Sequence, residues 1–292
     1  MTRPAVRLTS IGFGTTLQDR GRPGYAHLGV PRGGPADRSS AALANRLVGN
    51  APGTTVIETL GGLAVTSTTP ATLATPETGR ITLSAGDRLR VGPGPGRRWT
   101  HLAVRGGFVT ESVLGSMGHD LLAGLGPPRL VEGAELLIGV DPGTDLPTDF
   151  APLRAAADEP IGLWHPSGDD LRLVADVPLG PWTVTDDVSR VGIRLRRPSP
   201  SSVIRTDGVA SRVGSDGRSR PSGGLVLGAV QLTPSGEAIV MLADHPTTGG
   251  YPLIGVTDPD DLDRVAQTPV GSRIRFRRID PTSLVPERSG SG

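Results

Sequence analysis

Two short stretches of the chain gather the residue types that acid–base and anion chemistry need. One runs Gln18-Asp19-Arg20-Gly21-Arg22-Pro23-Gly24-Tyr25-Ala26-His27 and continues through Gly29-Val30-Pro31 and Gly33-Gly34-Pro35-Ala36-Asp37. The other is Ala243-Asp244-His245-Pro246-Thr247-Thr248-Gly249-Gly250-Tyr251-Pro252. Each packs Gly, Pro, an acid, a His and a Tyr into a segment that does not read as a regular helix or strand. Loops of this kind are where a rigid scaffold displays functional groups. The only two Tyr of the chain, and two of its five His, fall in these stretches.

Each residue has a chemical reading and a structural one. His245 is a candidate base because imidazole titrates near neutral pH; it is equally a histidine bonded to loop backbone. Asp244 precedes it, and neighbours on a continuing strand point to opposite faces, so the two need not form a dyad. Asp19 reads as a base or as a turn-stabilising Asx residue, and His27 shares its motif and its alternatives. Thr247, Thr248, Gly249 and Gly250 suit a backbone cradle for an oxyanion or phosphate, with Tyr251 beside it; the alternative is a tight Gly-Gly turn. Arg22 and Arg105 each adjoin a glycine and are candidate forks for a carboxylate or phosphate, as is Arg20; the alternative is a surface ion pair. Asp37 is assigned to a helix cap. Asn45 and Glu58 are either polar site walls or solvent contacts. His101, His119 and His165 lack metal-ligand spacing, so no metal site is expected.

Absences narrow the chemistry further. All 30 basic residues are Arg. Without Lys there is no Schiff base, no Walker-type phosphate loop and no attachment point for biotin or a lipoyl arm. With no Cys there are no disulfides and no thiol nucleophile. The formal net charge of +1 draws the chain to neither nucleic acid nor an anionic membrane. No apolar run approaches membrane-spanning length and the N-terminus lacks a signal-peptide core, so a cytoplasmic protein is expected.

The elements that must position these loops read as mainly β. Gly (42) and Pro (28) punctuate short apolar segments, as turns between strands do. Strands are predicted at Val6 to Ile11, Arg88 to Val91, His101 to Arg105, Leu136 to Ile138, Leu171 to Val174, Val191 to Leu195, Ala238 to Leu242 and Arg273 to Arg277. Two helices are expected. Asp37 caps one from Arg38 to Val48, closed by Gly49-Asn50. Asp258 caps another with Pro259 first and Asp260 and Asp261 in its first turn. The polar, Pro-rich segment from Asp141 to Pro160 is the expected linker. The division is then an N-terminal β domain over 1–145 and a C-terminal one over 155–285, with strand exchange between them allowed. Arg196 to Gly224 reads as a long mobile loop, and Pro286 to Gly292 as a frayed tail.

The first stretch, running on to Ala44-Asn45 and Leu47-Val48-Gly49-Asn50, resembles the opening of the KipA / allophanate hydrolase subunit 2 family. His101-Leu102-Ala103-Val104-Arg105-Gly106-Gly107, Arg190 to Leu195, Gly228 to Leu232 and Ala243 to Pro252 extend the resemblance over nearly the whole chain. It implies two cyclophilin-like β-barrel domains and a place as the C subunit of an ATP-dependent 5-oxoprolinase. That enzyme opens 5-oxo-L-proline to L-glutamate. The implied partners are a KipI-like protein, the B component of that enzyme, and a LamB/YcsF-like protein, its A component. ATP and Mg are used in the assembled complex. Nucleic acid and membrane are not implied. The family also contains carboxyltransferase components that use biotin carried on a partner, as in urea amidolyase, and a non-catalytic antagonist of a kinase inhibitor. One departure is visible: Ser222-Gly223-Gly224 stands where the family often has an acidic triplet.

Overall fold

The computed structural model describes residues 3–146, 159–165, 179–197 and 222–279. The chain divides into two compact units. Unit 1 comprises Met1–Ala157 with Ala266–Pro269; unit 2 comprises Asp158–Val265 with Val270–Gly292.

Unit 1 carries β1 (Ala5–Ser10), β2 (Phe13–Gln18), α1 (Arg38–Leu47), β3 (Val56–Leu60), β4 (Leu63–Ser67), β5 (Ala71–Thr75), β6 (Gly79–Leu83), β7 (Arg88–Val91), β8 (Trp99–Val104), β9 (Phe108–Val109) and β10 (Glu135–Ile138). They form two five-stranded antiparallel sheets, ordered β7-β4-β1-β10-β9 and β2-β3-β8-β5-β6. The chain passes from one sheet to the other at corners, and Gly12 makes the corner between β1 and β2. A Cβ there would lie 2.6 Å from Thr59 Oγ1 and 2.7 Å from Gly62 O, so only glycine fits.

Period-two alternation decides what each sheet faces. Val6, Leu8 and Val65 from one sheet meet Leu17, Ile57, Leu102 and Val104 from the other in a single core. The opposite face of β8 and β3 takes α1, through Ala41, Ala44, Leu47, Val56 and Ala103. The spacing of Ala41, Ala44 and Leu47 puts them on one side of the helix. The Asp37 carboxylate accepts from Ser40 N at 2.8 Å, which caps α1 as the sequence predicts.

Unit 2 carries β11 (Ile161–Trp164), β12 (Trp182–Val188), β13 (Gly192–Arg196), β14 (Gly223–Gly224), β15 (Ala229–Leu232), β16 (Ala238–Met241), β17 (Thr248–Gly249), β18 (Leu253–Thr257), α2 (Pro259–Gln267, whose Ala266 and Gln267 belong to unit 1), β19 (Arg273–Ile274) and β20 (Phe276–Ile279). Eight strands follow the order β19-β12-β13-β16-β15-β18-β11-β20. β19 and β20 stand at opposite ends of that order, yet only Arg275 separates them in the chain. The two ends of the sheet therefore meet, which rolls it into a nearly closed barrel and removes its free edges. The single predicted strand from Arg273 to Arg277 is thus two strands broken at Arg275. β14 and β17 pair separately.

The mainly β expectation and both helices stand. No described helix is long and apolar enough to cross a membrane. The strand predicted at Leu171 to Val174, most of the predicted mobile loop, much of the predicted linker and the predicted tail lie outside the described residues.

Candidate functional site

The first motif wraps Asp19 and Arg22 around a segment nearly a hundred residues away. Asp19 Oδ1 accepts from Gly21 N at 2.8 Å and Ser116 Oγ at 2.6 Å, and Oδ2 accepts from Met117 N at 2.7 Å. Arg22 is almost wholly buried and donates to carbonyls: Nε to Val113 O at 3.3 Å and a terminal nitrogen to Gly118 O at 2.6 Å. Arg22 holds the two ends of the Val113–Gly118 segment and Asp19 holds its middle. This geometry matches the Asx alternative for Asp19, whereas Arg22, buried on backbone carbonyls, is not the surface ion pair offered as its alternative. His27 stands apart from them. It lies exposed on a short 3₁₀ turn, Ala26–Leu28, with Nδ1 3.0 Å from Gly24 O.

Arg105 is spread over the end of α1 and the Asp141 turn. It bonds Asp141 Oδ2 at 2.7 Å, Val48 O at 3.1 Å and Thr144 O at 2.7 Å. Its hydrogen bond holds the exposed Asp141 carboxyl below the usual carboxylate range. Asn45 and Glu58, expected as site walls or solvent contacts, are not solvent contacts, since both are fully buried. Asn45 Nδ2 donates to Thr54 O at 2.7 Å and pins the loop after α1.

Glu58 belongs to a buried pair that sequence reasoning did not assemble. β3 and β8 run antiparallel with Glu58 directly opposite His101, and His101 Nε2 lies 2.9 Å from Glu58 Oε2. Ala36 N also donates to that oxygen, at 2.7 Å. Burial is the largest influence on His101 and opposes its charge. The Glu58 hydrogen bond and the charges of Glu58, Asp37 and Glu77 outweigh it, so the pKa is raised. Asp37 itself gathers Ser40 Oγ at 2.6 Å, an Arg97 nitrogen at 2.7 Å and Gln267 Nε2 at 2.8 Å. The only sequence signal for this cluster was a polar residue set among apolar ones in each strand, Glu58 in VIETL and His101 in WTHLAV.

In unit 2 the second motif opens on an ion pair. Asp244 is fully buried, and Arg190 grips both its oxygens, Nε to Oδ2 and a terminal nitrogen to Oδ1, each at 2.8 Å. This fork geometry compensates both charges and engages the lone pairs a base would use. His245 is also buried, and Nδ1 donates to Pro246 O at 2.8 Å, since a carbonyl can only accept. That places a proton on Nδ1.

The Gly-rich end of the motif is extended, not a turn. Thr248 and Gly249 form β17 and pair with Gly224 and Gly223 of β14. The positive φ that a backbone anion nest uses is not found at Gly249 or Gly250. Gly249 is closely packed: a Cβ would lie 2.7 Å from Leu225 Cδ1 and 2.9 Å from Gln231 Nε2, so those side chains would have to shift. The glycines of Ser222-Gly223-Gly224 therefore place backbone, with no acid, beside Thr248. Thr247 O accepts from Leu225 N at 2.9 Å and continues this pairing.

Gly249, Gly250 and Tyr251 border a cavity of about 330 Å³ whose floor is Arg194, Gln231, Ile239 and Met241. Gln231 Nε2 donates to Tyr251 O at 3.2 Å and ties floor to rim. Arg194 is spoken for by Asp187 at 2.8 Å and Glu237 at 3.0 Å. The cavity is a mixed apolar and polar chamber with Tyr251 at its edge, suited to a small, largely uncharged group.

These features have counterparts in known proteins. The family model for the carboxyltransferase domain, subdomain A and B, matches residues 28–278. The 5-oxoprolinase C subunit of Escherichia coli (strain K12) is 30% identical over 93% of this chain and 90% of its own length. The solved protein TTHA0988 is 30% identical with a TM-score of 0.78, over 94% of this chain and 56% of its own. K. lactis urea amidolyase is 25% identical with a TM-score of 0.79, over 96% of this chain and 19% of that enzyme. The match runs through both units, from the 3₁₀ turn of the first motif to the last barrel strand, and the chain belongs to the carboxyltransferase domain, subdomain A and B, family.

Proposed function

We propose that this chain is the C subunit of a cytoplasmic ATP-dependent 5-oxoprolinase, acting with a KipI-like B component and a LamB/YcsF-like A component. The observation that carries this reading is coverage. The alignment takes in 93% of this chain and 90% of its Escherichia coli 5-oxoprolinase relative. It takes in only 19% of urea amidolyase.

Opening a lactam at neutral pH needs an activated carbonyl, a base and a water-poor chamber. ATP, with magnesium, supplies the activation when bound in the assembled complex. Among the described residues no group of three or more His, Asp or Glu is placed to hold a metal by itself. No step is assigned to this chain through that ion. What its residues offer is the 330 Å³ cavity, with Gln231 and Tyr251 to orient an amide and apolar walls of Ile239 and Met241 to exclude water. His245, with a proton held on Nδ1 by Pro246 O, is the candidate base in this reading. Asp244 positions the loop through Arg190 and is not the base in this reading. The likeness to urea amidolyase supports a second reading, in which the same cavity receives biotin carried on a partner. The absence of Lys means the biotin would not be attached to this chain.

The test is ATP hydrolysis by this chain with its KipI-like and LamB/YcsF-like partners, with and without 5-oxo-L-proline. Hydrolysis should require 5-oxoproline and all three proteins, and His245→Ala should abolish it while the chain stays folded. Turnover by the isolated chain would refute the division of labour. Normal turnover with His245→Ala would remove His245 from the mechanism. A silent assembly that instead moves carboxyl from carboxybiotin would favour the second reading.

A further inference from the structure

Unit 1 holds a cavity of its own, about 240 Å³, where the Asp19-Arg20 turn, the segment from Arg32 to Pro35, the first turns of α1 and the loop from Pro52 to Thr54 meet. Its polar lining is cationic: Arg20, Arg32 and Arg38 all face it. Asp19 also borders it, but both Asp19 oxygens are engaged by Gly21, Ser116 and Met117. Among the described residues, the Arg20 and Arg32 side chains have neither an ion-pair nor a hydrogen-bond partner. This sets them apart from Arg22, Arg97, Arg105, Arg190 and Arg194, each of which is bonded within the protein.

Like charges gathered around one small space repel, and an anion placed among them relieves that cost. A guanidinium offers paired N–H donors that match a carboxylate or phosphate. Arg20 is also held in place. Its stem lies against Gly53, where a Cβ would be 3.1 Å from Arg20 Cβ. Beside Thr54 and Gly53, the remaining walls include the apolar Pro35, Ala42 and Pro52. They favour an anion with a carbon skeleton over inorganic phosphate. The volume falls below the roughly 300–1,000 Å³ of sites for drug-sized ligands, which argues against a whole nucleotide.

We propose that this cavity is a binding site for a small organic carboxylate, held by Arg20 and Arg32 with its carbon skeleton against Pro35, Ala42 and Pro52. The proposal is read from the cavity and does not rest on the hydrolase reading. It also moves the anion-binding role away from Arg22 and Arg105, the arginines beside glycine, to arginines whose side chains are not consumed by the fold.

Calorimetric titration of the full chain at low salt tests it, with 5-oxo-L-proline, L-glutamate, pyruvate, inorganic phosphate and ATP as probes. At least one carboxylate should bind with a Kd of about 1 mM or tighter. Arg20→Gln and Arg32→Gln should each weaken binding about tenfold or more with an unchanged melting temperature. Arg88→Gln, on exposed β7, should leave binding as it is. Binding of phosphate or ATP with none of the carboxylates, carboxylate binding that survives the Arg20→Gln/Arg32→Gln double variant, or no binding by any probe would each overturn the site. Neither turnover nor any partner protein enters this titration. A null here leaves the hydrolase reading standing, and a silent assembly leaves this site standing.

Discussion

Arg190 in unit 2 and Arg22 in unit 1 are both buried guanidiniums, 3% and 2% exposed. Each sits in or against a motif that also holds an aspartate. Arg190 meets Asp244 in a two-bonded fork that spans 54 residues of chain. Arg22 and Asp19, close neighbours in the chain, are each satisfied by neutral groups instead. Asp19 takes N–H and hydroxyl donors, and Arg22 gives to the carbonyls of Val113 and Gly118. Unit 2 thus closes its loop with charge against charge, and unit 1 with charge against backbone dipole. The same residue types build two kinds of lock, and in both the acid's oxygens bond within the protein.

The two locks should fail differently. Arg190→Ala strands a fully buried carboxylate, so it should cost about 3–5 kcal/mol. Replacing both partners with leucine should recover part of that loss. Urea unfolding measures it, and a cost below about 1 kcal/mol would dissolve the distinction drawn here. Arg22→Ala should cost less, about 2–3 kcal/mol, because it leaves carbonyls and not an ion without partners. If Arg22→Ala proves the more damaging of the two, the neutral-dipole account of unit 1 is wrong.

A third, smaller effect depends on pH. His101 has a folded pKa raised above its ordinary value of 6.5. A raised pKa means that folding favours the protonated form. The Glu58–His101 contribution is therefore fully present below about pH 6.5 and is lost as pH rises through the folded value. Melting curves of the natural chain and Glu58→Gln between about pH 6 and pH 9 should differ most at the acid end and converge at the alkaline end. A gap that stays constant across that range would show that the pair contributes through packing alone.

Much of the scaffold was legible before any coordinates. Asp37 before Arg38 and Pro259 after Asp258 marked both helix starts, because capping chemistry is local. The alternation in Arg88 to Val91 and the apolar, β-branched run in Ala238 to Met241 marked strands because strand preference is also local. β3, β5 and β15 were harder. Val56 to Leu60, Ala71 to Thr75 and Ala229 to Leu232 are mixed or uninterrupted runs whose burial on both faces comes from neighbouring elements. The Gly249-Gly250 pair misled in another way. Glycine signals either free φ or a lack of space, and only Leu225 and Gln231 packed against Gly249 reveal which.

The sequence by itself determined the mainly β architecture, the two helices, the chemistry ruled out by the lack of Lys and Cys, and the two loops worth watching. These follow from local conformational preference and from side-chain inventory. Only the tertiary structure decided which charged groups are consumed by the fold and which are left for a ligand. Arg20 and Arg22 are near neighbours in the chain and chemically identical. One faces a cavity without a partner among the described residues, and the other is buried on the carbonyls of Val113 and Gly118. A side chain's solvation and its hydrogen-bond partners come from segments distant in the chain, and no local pattern encodes them.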